Sequence, residues 1–217
     1  YEAYGDCRTM MQLVQDLVTH VARTVFGKLV VGSEAQPIDM TPPWRAVPYC
    51  DLIRETAGED WFDLSLEAMK ERAASLGAPV APEWGKIEVT QEIFEKLIEK
   101  TLIQPTFVTR LPVELVPLAK ACEDDPKLVD VFELIIGGRE VAPAYSELND
   151  PLVQRERFEA QAGGDASRID WDFLEALEHG MPPAGGMGIG IDRLVMMMTG
   201  AESIRDVVLF PQLKPKA

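Results

Sequence analysis

The sequence predicts a mixed α+β fold, and three observations carry that reading. Apolar residues recur at helical spacing at Met10, Leu13, Leu17, Val21 and Val25. Two strand-like runs, 132–136 and 139–142, flank Gly137-Gly138, a pair suited to a two-residue hairpin turn because both positions can take positive φ. Segments with helix start and stop signals stand on either side of that hairpin.

Each element follows from local chemistry. Thr9 and Gln12 form a capping-box pattern at the first apolar stripe, which predicts a helix ending near Gly27. His20 lies on it and reads as a surface or packing residue. Lys28–Val31 and Pro37–Met40 read as short strands about a Gly-Ser turn. Residues 41–100 differ in character. Pro42-Pro43, Pro48, Gly58, Gly77, Pro79 and Pro82 punctuate them, with helices predicted over about 65–76 and 90–100. The stretch reads as a helical insertion or subdomain whose charges form a solvated face.

Thr106–Val108 is a short β-rich run, and the hairpin follows it. Asp150-Pro151 starts a helix to about Gln161, with Asp as N-cap and Pro at the first helical position, and Gly163-Gly164 breaks it. Asp170 caps another helix, carrying Phe173, Leu174 and Leu177, that stops at Gly180. Residues 181–190 read as a Gly-rich connector into a helix over Ile191–Thr199, ended by Gly200. Val207–Phe210 reads as a last buried strand before Pro211.

Composition narrows the function classes. The 217 residues carry 21 Lys+Arg against 36 Asp+Glu, a net charge of −15. That balance argues against broad contact with a phosphate backbone, so any nucleic acid would be gripped mainly by another part of an assembly. The three cysteines, Cys7, Cys50 and Cys122, form no C-x-x-C pair. Neither a disulfide framework nor a zinc site is expected, and a reducing, cytoplasmic setting fits. No apolar run reaches the ~18–20 residues of a membrane span, and no signal-peptide pattern opens the chain. The chain opens on Tyr1 inside a structured stretch, which reads as a piece of a longer protein.

Three features carry chemistry. With a two-residue turn, Ile136 faces Arg139 and Ile135 faces Glu140. Glu133 and Glu140 are then diagonal neighbours on one sheet face, roughly 7–8 Å apart. Such a pair suits a divalent cation shared with a phosphate; it equally reads as two solvated glutamates on an open sheet. Simple alternation puts Glu147 on the opposite face, whereas a bulge at Pro143 would return it to the same one. The glycines from Gly185 to Gly190 match neither G-x-G-x-x-G nor a P-loop. They do precede a helix whose first turn holds Arg193, an awkward place for a cation. Arg193 reads either as a phosphate ligand or as the partner of Asp192 or another acid.

Together, several segments resemble the C-terminal catalytic half of a bacterial-type class II lysyl-tRNA synthetase. They are Phe132-Glu-Leu-Ile-Ile-Gly-Gly-Arg-Glu140, Tyr145-Ser-Glu-Leu-Asn-Asp-Pro151, Gln154-Arg-Glu-Arg-Phe158 and Gly188-Ile-Gly-Ile-Asp-Arg193. Tyr1-Glu-Ala-Tyr4, Gln104-Pro-Thr-Phe107, Ile204-Arg-Asp-Val207 and Phe210-Pro211 agree, so the resemblance spans the chain. It implies an antiparallel sheet flanked by helices, incomplete here. It also implies a helical insertion over 41–100 and the family's third motif over 185–199. The first two motifs, the dimer interface of a homodimeric parent, and an anticodon-binding OB domain would lie upstream of Tyr1.

The same resemblance assigns roles. Glu133 and Glu140 match the residues on ATP-bound Mg²⁺. Glu147 matches the carboxylate that pairs with the lysine ε-ammonium, with Tyr1 in the same pocket and Tyr145 along the lysine stem. Arg193 matches the third-motif arginine that holds ATP, Gly190 lines the nucleotide site, and Asp192 orients the helix start. Pro143 departs from the family, which has Asn there; proline offers neither side-chain amide nor N–H.

The implied reaction activates lysine with ATP and passes the lysyl group to tRNA(Lys), with no membrane involved. The isolated chain is expected to be inactive. Two alternatives stay open: a protein-lysylating ligase of the elongation-factor-P type, and a non-catalytic synthetase-like binding module. Ser146-Glu-Leu-Asn-Asp150 favours the tRNA enzyme over the first.

Overall fold

The computed structural model describes residues 1–211. A two-residue strand β1 (Glu2–Ala3) leads into helix α1 (Cys7–Val21). Asp6, not Thr9, caps this helix: its carboxylate accepts from Thr9 N–H at 2.8 Å, while Gln12 turns outward to Asp16. The helix therefore starts ahead of the Thr9–Gln12 pattern. Its apolar stripe continues through one π-helical turn, Ala22–Phe26, and Gly27 stops it with φ of 67°. Strands β2 (Val30–Ser33) and β3 (Gln36–Asp39) form a separate hairpin.

Residues 41–100 hold a strand that the sequence reading missed. β4 (Arg45–Pro48) joins the main sheet, bracketed by the prolines that made it look like a loop. Pro48 sits at its end, where a missing N–H costs no internal pairing. Helices α2 (Tyr49–Ala57), α3 (Leu66–Ser75) and α4 (Lys86–Ile93) follow, and α4 runs on through irregular turns to Thr101. Ser65 caps α3 through Ala68 N–H.

Next come β5 (Thr106–Thr109), β6 (Val131–Ile136), β7 (Arg139–Ser146), α5 (Pro151–Ala162) and α6 (Trp171–Glu178). Asp150 and Asp170 cap the two helices as expected. Within the glycine-rich segment lies β8 (Ala184–Met187), followed by α7 (Ile191–Thr199). Gly185-Gly186 hid this strand, because glycine carries no β propensity and no alternation. Val207–Phe210 is not a buried strand: it has no strand pairing, and Leu209 and Phe210 are 87% and 89% exposed.

The main sheet has the order β1-β8-β7-β6-β5-β4. Every neighbouring pair is antiparallel except β4 with β5. One face is covered by α1, α7 and the β2–β3 hairpin. There Met10, Val14 and Val18 meet Phe132, Leu134, Ala142 and Ala144, with Leu194 and Met198 from α7. Helices α2 to α4 cover part of the other face, packing Tyr49, Ile53, Trp61 and Ile93 over Val108, Val131 and Ile135. The uncovered remainder of that second face is a half-buried surface formed by β6, β7 and β8.

Candidate active site

The register of the hairpin decides which side chains meet. Ile136 pairs with Arg139 and Ile135 with Glu140, as a two-residue turn requires. Beyond that point the pairing shifts: Leu134 faces Ala142, so Val141 is an extra residue in β7. Such a bulge inverts the alternation of the rest of the strand. Val141, Ala142, Ala144 and Ser146 then face the core, while Pro143, Tyr145 and Glu147 alternate with them and are half-buried. Glu133 and Pro143 are partners, as are Val131 and Tyr145. Glu133, Glu140, Tyr145 and Glu147 therefore share one face. The bulge lies at Val141, two residues before the proline that the sequence reading chose.

Glu147 is held by its backbone, and its carboxylate has no hydrogen-bond or ion-pair partner among the described residues. Its N–H donates to Ala184 O at 2.8 Å, and it bridges to Ala119. The carboxylate lies over Gly186 of β8, beside the ring edge of Tyr1. Tyr1, Tyr145 and Glu147 line one cavity of about 360 Å³ with Leu115, Val116 and Gln161. Burial pushes the Glu147 carboxyl above its ordinary value. A half-desolvated carboxylate gains most from a cation brought into its cavity, because an opposite charge favours its ionised form. On the opposite face, Ser146 anchors the end of β7. Its hydroxyl accepts from Cys7 N–H at 2.9 Å and donates to the Asp130 carboxylate in a short hydrogen bond.

The other end of the face is acidic. Burial first, then Glu140, Glu99 and Glu95, pushes Glu133 up to about 7. Glu99 comes from the irregular end of α4, where its carboxylate accepts from Glu140 N–H at 3.3 Å. Arg193 reaches back from α7 and donates from Nη1 to Glu140 O at 2.8 Å, with the Glu140 carboxylate 3.9 Å away. Its partner is thus Glu140 rather than Asp192, which is exposed in the first turn of α7. Gly190 caps α7 and donates its N–H to Val141 O at 2.9 Å, tying the helix start to the bulge.

The donor set fits a hard divalent cation. Glu133 and Glu140 offer carboxylate oxygens on one face, and Glu133 has no ion-pair partner among the described residues. No cluster of three or more His, Cys, Asp or Glu among the described residues is placed to hold a metal. A carboxylate pair such as Glu133 and Glu140 suits Mg²⁺, which takes one or two carboxylates and completes its shell with substrate oxygens and water.

A family model described as tRNA synthetases class II (D, K and N) matches residues 1–214. The chain belongs to this family. Among curated relatives, it is 51% identical over 224 aligned positions to a lysine–tRNA ligase of Syntrophomonas wolfei, covering all of this chain and 45% of that protein. A lysine–tRNA ligase of Bacillus subtilis is 47% identical, again over all of this chain and 45% of the relative. One of Nostoc punctiforme is 49% identical, with 40% of its length covered. The chain spans less than half the length of these relatives.

In this class II synthetase chain, the fold brings Glu133, Glu140 and Arg193 to one end of the open face. Tyr145, Glu147 and the ring edge of Tyr1 gather at the other. Tyr1 itself is 98% exposed, so it rims the cavity rather than closing it. Sequence reasoning missed Glu99, Ser146, Asp130 and Gly186. Glu99 lies 41 positions from the backbone N–H that it accepts from, and no local pattern marks it. Gly186 was visible as half of a Gly-Gly pair, but its reason is a side chain on another strand.

Proposed function

We propose that the chain is the C-terminal part of the catalytic unit of a lysine–tRNA ligase. The parent protein joins lysine to ATP as lysyl-adenylate and transfers the lysyl group to tRNA(Lys). The observation that carries this reading is the placement of Glu147, half-buried between Tyr1 and Tyr145 on the same sheet face as Glu133 and Glu140. The names of the curated relatives support the same substrate.

The first step forms a bond from the lysine carboxylate oxygen to the α-phosphorus of ATP and breaks the bond to the departing pyrophosphate. Glu147 holds the ε-ammonium, and the Tyr145 ring lies along the aliphatic stem. A shorter or neutral side chain leaves the half-buried acid unpaired, which is how a polar pocket rejects near-isosteres. Arg193, fixed across Glu140, presents a cation to the nucleotide. Glu133 and Glu140 would hold Mg²⁺, which would supply positive charge against the triphosphate. In the second step a terminal tRNA hydroxyl attacks the lysyl carbonyl and AMP leaves. No side chain here acts as a nucleophile; the rate comes from positioning and charge. The parent is proposed to be a cytoplasmic homodimer, with tRNA gripped outside this acidic chain.

The test is ATP–pyrophosphate exchange by the complete protein with lysine, aspartate and asparagine offered separately. Exchange driven by lysine alone is expected, and exchange driven by aspartate or asparagine would overturn the substrate. Charging of tRNA(Lys) separates the tRNA enzyme from a protein-lysylating ligase.

A further inference from the structure

Two adjacent glycines in β8 have no side chain for two different reasons. Gly185 and Gly186 pair with Ser146 and Tyr145 of β7 and lie in ordinary extended backbone, so neither is needed for a positive φ. A Cβ on Gly185 would stand 2.7 Å from Asp6 O and 3.0 Å from Asp6 N, against backbone at the start of α1. A Cβ on Gly186 points to the other face. It would lie 2.9 Å from Glu147 Cδ and 2.8 Å from Tyr1 Cε1, and it would overlap Glu147 Oε1. Those are the ends of movable side chains. Gly185 therefore serves the fold, and Gly186 serves the seat of a carboxylate.

Glu147 cannot yield by moving its backbone, which is tied to Ala184 and bridged to Ala119. With any side chain at 186, the carboxylate must swing off the strand. We infer that Gly186 is a specificity-determining position: the bare backbone seats the Glu147 carboxylate at a fixed depth and so selects an amino acid ending in a primary ammonium. The inference deepens the lysine reading and rests on it. An ammonium–carboxylate pair in a partly desolvated cavity depends steeply on separation, so a displaced carboxylate weakens lysine while leaving the distant ATP end alone.

The experiment compares the complete protein with its Gly186→Ala variant. Exchange rates are measured against lysine at saturating ATP and against ATP at saturating lysine, together with a melting curve. The expected result is a lysine KM raised about tenfold or more, an ATP KM changed less than about twofold, and a Tm within about 3 °C of the parent. An unchanged lysine KM overturns the inference and leaves the lysine reading standing. Equal rises in both KM values, or a variant that does not fold, overturn it by showing a structural role. A parent protein with no lysine-dependent exchange overturns the lysine reading and this inference with it.

Discussion

Glu140 and Glu147 share one face of the sheet although they stand an odd number of residues apart, Glu140 within β7 and Glu147 just past its end. An unbroken strand would separate them onto opposite faces. The extra residue, Val141, cancels the inversion. Its carbonyl also accepts the N–H of Gly190 at the start of α7. One bulge thus aligns the acid at the ammonium end with the acids at the phosphate end and docks the helix that carries Arg193.

The acid-rich end is expected to cost stability when no cation is bound. Below about pH 4.5 the Glu133 carboxyl is protonated in both folded and unfolded chains, so it contributes nothing. Its folded value is raised to about 7 by burial and by Glu140, Glu99 and Glu95. Between those values the folded chain keeps a proton that the unfolded chain releases, so stability falls as pH rises through that window. Glu133→Gln in the metal-free complete protein is expected to gain on the order of 1–3 kcal/mol at pH 8 and little at pH 4. Thermal melts at the two pH values check this; equal shifts at both would contradict it.

Gly185→Ala is expected to destabilise by about 1–3 kcal/mol, because the new methyl meets backbone that cannot rotate away. Denaturant melts measure the loss, and a neutral result would contradict the close approach of Asp6.

Ser146→Ala removes one hydroxyl and leaves both of its partners, Cys7 N–H and the Asp130 carboxylate, without it. A loss of about 1–3 kcal/mol is expected, with the lysine and ATP KM values nearly unchanged because Ser146 faces away from the cavity. Melting and exchange kinetics on the same variant decide it.

Residues 1–217 on their own are expected to show no lysine-dependent exchange. Among the described residues, Arg193 is the one cation ion-paired to the Glu133–Glu140 end of the face, and the triphosphate of ATP brings several further negative charges to it. Turnover by the purified chain would contradict this.

Much of the local structure was legible because it is encoded locally. The Gly137-Gly138 turn sets the Ile136–Arg139 and Ile135–Glu140 pairs, and Asp150 and Asp170 mark helix starts that the structure keeps. What was not legible depends on partners far along the chain. β8 is a strand only because β7 and β1 pair with it, and β4 only because β5 does. The bulge was sought at Pro143, where local chemistry advertises one, but it sits at Val141, where the α7 start and the core hold it. Glu99 and Gly186 matter through side chains that fold onto them, and no spacing rule reaches those.

The central claim is that Glu147 is the acid that recognises the lysine ammonium. Glu147→Gln in the complete protein, assayed by exchange against lysine and ATP separately, tests it most directly. The account predicts a lysine KM raised roughly a hundredfold or more, with the ATP KM within about threefold of the parent, because only one partner of a half-buried charge pair is removed. Equal losses toward both substrates, or an unchanged lysine KM, would contradict it.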